Sequence, residues 1–102
     1  MYRYVVAEAA KNDMKRIAAY IARELCAPDS ALRLMEKLRE AFRHACQYPA
    51  SLPPVNDELF RMLGYRKIIV DNYIAFVLID REKEQVNIVR VLYYGQDYRA
   101  ML

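Results

Sequence analysis

The residues best suited to chemistry in this chain are basic and tyrosine side chains of its C-terminal half. Arg61, Arg66 and Lys67 lie close together in sequence. Arg90 stands amid an apolar run, and Tyr93, Tyr94 and Tyr98 cluster with Gln96 and Arg99. Guanidinium and ammonium groups bind phosphate or carboxylate, the first as a two-pronged fork, the second as a point charge. Tyrosine rings and guanidinium planes stack on nucleobases. A phenol whose pKa is lowered by nearby cations can also move protons. The set therefore suits contact with RNA, with phosphate or with an acidic protein surface.

A plainer reading stands beside that one. Nine tyrosines in 102 residues can be half-buried strand residues with a wet hydroxyl. That reading is preferred for Tyr2, Tyr4, Tyr65 and Tyr73, while both readings hold for Tyr94 and Tyr98. An unpaired buried charge is costly. Arg90 therefore either lines a groove and holds phosphate or an acidic partner, or sits at a rim paired with Asp80, Asp97 or another acid.

Other chemistries lack their parts. His44 is the only histidine and lies in a helical pattern, where it reads as a surface residue. Cys26 and Cys46 are isolated, without the spacing of metal ligands, and read as small buried thiols in helical patterns rather than a disulfide. There is no glycine-rich phosphate loop, no nucleophile–histidine pairing and no close carboxylate pair. The expectation is a protein with no metal and no cofactor.

The elements that must position these residues follow from periodicity. Composition is that of a folding chain: 56% hydrophobic and 28% charged, with 2 glycines and 4 prolines. Sixteen basic residues against thirteen acidic ones give a net charge of +3, compatible with nucleic acid or an acidic partner and diagnostic of neither. No apolar run approaches a bilayer span. Arg3, Glu8 and Lys11 break up the N-terminus, so no signal peptide is expected and the location is expected to be cytoplasmic.

Tyr2 to Val6 predicts a first strand. Glu8 to Cys26 predicts an amphipathic helix with Ala10, Met14, Ile17, Ile21 and Leu25 on its apolar stripe. Pro28 opens a second helix, capped by Asp29 or Ser30 and running to about Gln47. Its buried stripe is Ala31, Leu34, Met35, Leu38, Phe42 and Ala45. Tyr48 to Glu58, with three prolines, is a connector. Leu59 to Leu63 reads as a short strand or bridge. Tyr65 to Val70, Tyr73 to Asp80 and Val86 to Tyr94 read as strands, joined by an Asp71-Asn72 turn and a charged tip at 81–85. Tyr73 to Asp80 is apolar on both faces and so central. In the last strand, strict alternation puts Val86, Ile88, Arg90, Leu92 and Tyr94 on one face. The expected class is α+β: one domain over 1–102, β-α-α-β-β-β, a helical hairpin packed on an antiparallel meander.

The chain as a whole resembles the RelE/ParE toxins of bacterial toxin–antitoxin pairs. Asp13-Met14, Ile17, Tyr20-Ile21-Ala22 and Leu25 are similar to that family's DLxxIxxYIxxxL helix. Gly64-Tyr65-Arg66-Lys67, Val70-Asp71-Asn72-Tyr73, Phe76 and Ile79-Asp80 follow its sheet half. Arg90-Val91-Leu92-Tyr93 with Asp97-Tyr98 is similar to its RVLYGRRDW ending. The resemblance covers nearly the whole chain.

What the resemblance implies is a plasmid-stabilisation type toxin that arrests growth and is neutralised by a cognate antitoxin. RelE-like members cleave mRNA in the ribosomal A site without a metal, using basic and aromatic side chains on the ribose hydroxyl and the phosphate. ParE-like members bind DNA gyrase without catalysis. On the first reading, Arg66, Lys67, Arg90, Tyr94 and Tyr98 are the catalytic candidates, and Arg61, Tyr93, Gln96 and Arg99 contact RNA or another target. Two positions depart from the cleaving pattern: Ile74 follows Tyr73 where an arginine is usual, and Gln96 replaces a basic residue or histidine. Each missing cation commonly costs about 10²–10³ in rate. Sequence places ribosome-dependent cleavage first, then gyrase inhibition, then an inactive antitoxin-binding module.

Overall fold

Two periodicities divide the chain into a helical half and a sheet half, and the computed structural model, which describes residues 1–102, builds one layer from each. The elements are β1 (Arg3–Val6), α1 (Glu8–Ala19), α2 (Pro28–Gln47), α3 (Glu58–Met62), β2 (Arg66–Val70), β3 (Tyr73–Asp80) and β4 (Gln85–Tyr93). The four strands form one sheet in the order β1-β4-β3-β2. Strands β2, β3 and β4 are the antiparallel meander, and β1 joins β4 in parallel. This is the α+β class that the patterning implied. No helix is long and apolar enough to cross a membrane.

The stripe expected on α2 is buried throughout: Ala31, Leu34, Met35, Leu38, Phe42 and Ala45. It packs with Ala10 and Ile21 against Ile68, Val70, Ala75, Val77, Val86, Ile88 and Val91 of the sheet. Pro28 sits at the first helical position, where its missing N–H is no loss and its fixed φ favours the helix. The helix therefore starts before Asp29 and Ser30, and neither caps it. Ala27 is the N-cap without a side-chain bond, and the Ser30 hydroxyl accepts from Arg33.

Three further expectations need correction. The first helix does not run on to Cys26: after Ala19 it widens into a π-helical turn, Tyr20–Glu24. The extra residue per turn shifts the phase of the stripe. Ile21 stays buried, but Leu25, assigned to the stripe, is 56% exposed. Leu59 to Leu63 is no strand. The Asp57 carboxylate accepts from the Phe60 N–H at 3.2 Å and nucleates α3, and Gly64 at φ +95° ends it. No β-branched residue in 58–62 opposes the helix.

The third correction is the alternation of β4. Phe76 stands opposite Arg90, yet Val77 stands opposite Ile88, so Val89 is an extra residue in a β-bulge. The bulge reverses the facing of everything after it. Val86, Ile88 and Val91 face the helices, whereas Leu92 packs with Phe76 and Val55 in a second small cluster on the outer face. Phe60, Tyr65, Tyr98 and Leu102 cover that cluster. The proline-rich connector also joins the sheet: Pro54 bridges Arg66, and the Lys67 N–H donates to the Pro53 carbonyl at 2.9 Å.

Candidate functional site

The edge of β4 sets the geometry of the site. β1 ends at Val6, opposite Ile88, so the remainder of β4 has no strand on that side. Helix α1 crosses there, and Asp13 supplies the missing acceptor. Its carboxylate is 2% exposed. One oxygen accepts from the Val91 N–H at 3.0 Å and from Arg90 Nε at 2.7 Å. The other accepts from Arg90 Nη2 at 2.8 Å and from Arg16 Nη2 at 2.6 Å. This is a forked guanidinium–carboxylate pair, the strong form of such a contact. The Asp13 hydrogen bonds hold the Arg90 pKa above its usual value, although burial opposes this. Arg90 also donates from Nη1 to the Met101 carbonyl at 3.1 Å, tying the C-terminal segment to the strand.

Beside this pair lies a groove of about 910 Å³ between α1, the π-helical turn, the β2–β3 turn and the end of β4. Ile17, Ile21, Leu34 and Val91 give it an apolar floor; Asp13, Arg16, Asn72 and Gln96 give it polar edges. Tyr73 and Tyr93 meet edge to face at 5.6 Å in its wall. Burial pushes the Tyr73 phenol up from its ordinary pKa, and Tyr93 and Tyr20 add to the shift. Tyr20, Leu25 and Tyr93 expose more than half of their surface at the mouth.

The candidate residues do not gather in one place. Arg90, Tyr93 and Gln96 line the groove, with Gln96 spent on accepting from the Tyr93 N–H at 3.0 Å. Tyr98 lies on the outer face of the sheet, its ring 4.7 Å from that of Phe76 and its hydroxyl accepting from the Asp57 N–H at 3.1 Å. Arg99 is paired with Asp97 at 3.0 Å, and this bond lowers the Asp97 pKa. Arg66 donates to the Leu52 carbonyl and pins the connector. Tyr94 is exposed and donates its backbone N–H to Asn72. Lys67 is half-buried opposite Phe76. Arg61 is exposed on α3 and has no acidic partner within 4.0 Å. His44 is exposed and rests near Tyr48, ring to ring 5.3 Å.

Arg90 thus follows the paired reading, but its partner is Asp13 rather than Asp80 or Asp97. Asp13 went unnoticed as a site residue because it was read only as part of a helical motif. Its signal was present: at spacings of three and four from Ala10 and Ile17, it falls on the apolar stripe, where a carboxylate needs a partner.

Residues 4–98 match the family of ParE toxins of the type II toxin–antitoxin system parDE. Among solved structures, the chain is similar to one from the chromosomal ParDE toxin–antitoxin system of P. aeruginosa. The TM-score is 0.75 at 16% identity, over 93% of this chain and 98% of that one. It is also similar to one from the RelBE2 toxin–antitoxin complex of Mycobacterium tuberculosis. There the TM-score is 0.62 at 21% identity, over 93% of each chain. No curated protein matches it in sequence.

Proposed function

The chain belongs to the ParE family of type II toxin–antitoxin toxins, and from that membership we propose that it arrests growth by binding a target protein, DNA gyrase, rather than by cleaving RNA. The observation that carries this reading is that three of the candidate cations are occupied, while the other two, Arg61 and Lys67, have no acidic partner and lie outside the groove. Catalysis of phosphodiester cleavage needs preorganised donors aimed at the developing charge. Here Arg90 is held by Asp13 and Met101, Arg66 by Leu52, and Arg99 by Asp97. Ile74 offers no further cation beside Tyr73, and the Tyr98 hydroxyl is engaged by Asp57 on the face away from the groove. A binding toxin needs surface rather than a convergent set of free charges.

The groove suits the second half of a toxin's life, its neutralisation. An apolar floor with exposed Tyr20, Leu25 and Tyr93 at its mouth fits the apolar face of a helical segment from a cognate antitoxin. Both solved relatives come from toxin–antitoxin systems.

Two assays on the purified chain decide the matter. Gyrase supercoiling of relaxed plasmid should fall as the chain is added, and a defined mRNA followed by primer extension in cell-free translation should stay intact. Cuts on translated mRNA only, abolished by Arg66→Ala with Tyr98→Phe, would replace this reading with ribosome-dependent cleavage.

A further inference from the structure

Helix α3 carries an apolar ridge that the groove does not use. Leu59, Met62 and Leu63 stand at i, i+3 and i+4, hence on one side of a single turn. They are 61%, 78% and 59% exposed. The opposite side of the turn is anchored. Phe60 meets Tyr65 edge to face at 5.6 Å and Tyr98 at 5.9 Å. Asp57 caps the first turn and donates its own N–H to Tyr98. Gly64, at φ +95°, lets the chain leave sharply for β2. Three large side chains are thus presented in water on a turn fixed at both ends. Such an anchor has little order left to lose on binding.

Charge narrows the occupant. Arg61 lies within the same turn and has no acidic partner within 4.0 Å, and Lys67 just beyond it has none either. Between Glu58 and Lys67 the sequence carries three cations and one acid. An apolar ridge flanked by free cations complements a hydrophobic pocket bordered by carboxylates. No residue from 53–67 lines the groove.

We propose that the α3 ridge of Leu59, Met62 and Leu63, with Arg61, is the anchor by which this toxin docks on its target protein, into an apolar pocket edged by acidic side chains. The inference rests on the binding reading above and assigns it a surface separate from the groove. Such an anchor forms only the centre of a footprint that buries about 800 Å² per partner in a standard interface.

The test compares the wild-type chain with Met62→Glu and, separately, Arg61→Glu. All three exposed apolar residues and Arg61 point into solvent, so each variant should unfold at the wild-type temperature. Each should need at least tenfold more protein to arrest growth on titrated induction, and at least tenfold more to halve gyrase supercoiling. Arrest at wild-type dose by both folded variants overturns the proposal. So does a loss of self-association in light scattering with arrest unchanged, since a second copy would then own the ridge. If one variant fails to fold, the other decides. A wild-type chain that arrests growth without touching supercoiling removes gyrase as the target. The growth titration of the two variants still judges the ridge.

Discussion

Asp13 of α1 and Arg90 of β4, 77 positions apart in sequence, are joined by two hydrogen bonds of 2.7 and 2.8 Å. The same carboxylate closes the open edge of β4 through Val91. The pair therefore fastens the helical half to the sheet where β1 has run out. Replacing Asp13 by alanine strands a guanidinium and a buried N–H together. Loss of one partner of such a pair costs about 3–5 kcal/mol. Urea denaturation of Asp13→Ala should show a drop of that order. Asp13→Asn keeps acceptors for part of the set and should lose less.

Tyr98 separates a structural role from a catalytic one. Its hydroxyl accepts a single backbone hydrogen bond, from Asp57, while its ring fills space against Phe76 and Phe60. Tyr98→Phe keeps the ring and should cost about 1 kcal/mol in denaturant unfolding. Growth arrest should survive it at wild-type dose. A proton-transferring Tyr98 would instead lose arrest with little change in stability.

The groove tyrosines predict an alkaline limit. Burial keeps the Tyr73 phenol neutral in the folded chain to a higher pH than in the unfolded one. The folded state then holds more protons once the pH passes the ordinary tyrosine value of about 10, and stability falls as pH rises further. Tyr73→Phe should flatten that fall in unfolding curves taken between pH 9 and about 11. The slope below pH 9 should not change.

The two thiols should differ in reactivity. Cys26 is not the buried helical thiol that its pattern implied: it lies past the π-helical turn at φ +52° and is exposed, whereas Cys46 is half-buried with its pKa pushed up by desolvation. A raised pKa leaves less thiolate, the reactive form, at any given pH. Limited alkylation at pH 8 followed by peptide mapping should modify Cys26 first. Equal labelling of both would show that the C-terminal end of α2 opens readily.

Much of this fold was legible, for identifiable reasons. The α2 stripe repeats cleanly over about four turns, so all six expected core residues are buried. Asp71 takes the left-handed conformation that the Asp-Asn turn implied. What escaped was register. One inserted residue at Val89 and one widened turn at Tyr20–Glu24 leave no mark on composition, yet the first reverses the facing of the rest of β4 and the second turns Leu25 out of the stripe. α3 escaped because a five-residue helix is too short to declare a period, although Asp57 three residues before Phe60 was a cap signal. The site escaped for a related reason. Nearness in sequence suggested that Tyr93, Tyr94, Tyr98 and Arg99 act together, but the chain turns at Gly95 and sends Tyr98 to the other face. Arg90 found its partner in the first helix, a pairing that no local spacing encodes.

The parallel pairing of β1 with β4 has a consequence for synthesis. β4 lies between β1 and β3, so the last strand made is an interior strand of the sheet. A chain broken off before Gln85 has its first strand without a neighbour and its β2–β3 hairpin exposed along one side. Asp13 then has no Arg90, and the core of α2 lacks Val86, Ile88 and Val91 to close it. A chain interrupted there is therefore expected to lack a closed core and to be open to proteases. The fold is completed only by its last strand, so the whole message must be read before the sheet can close.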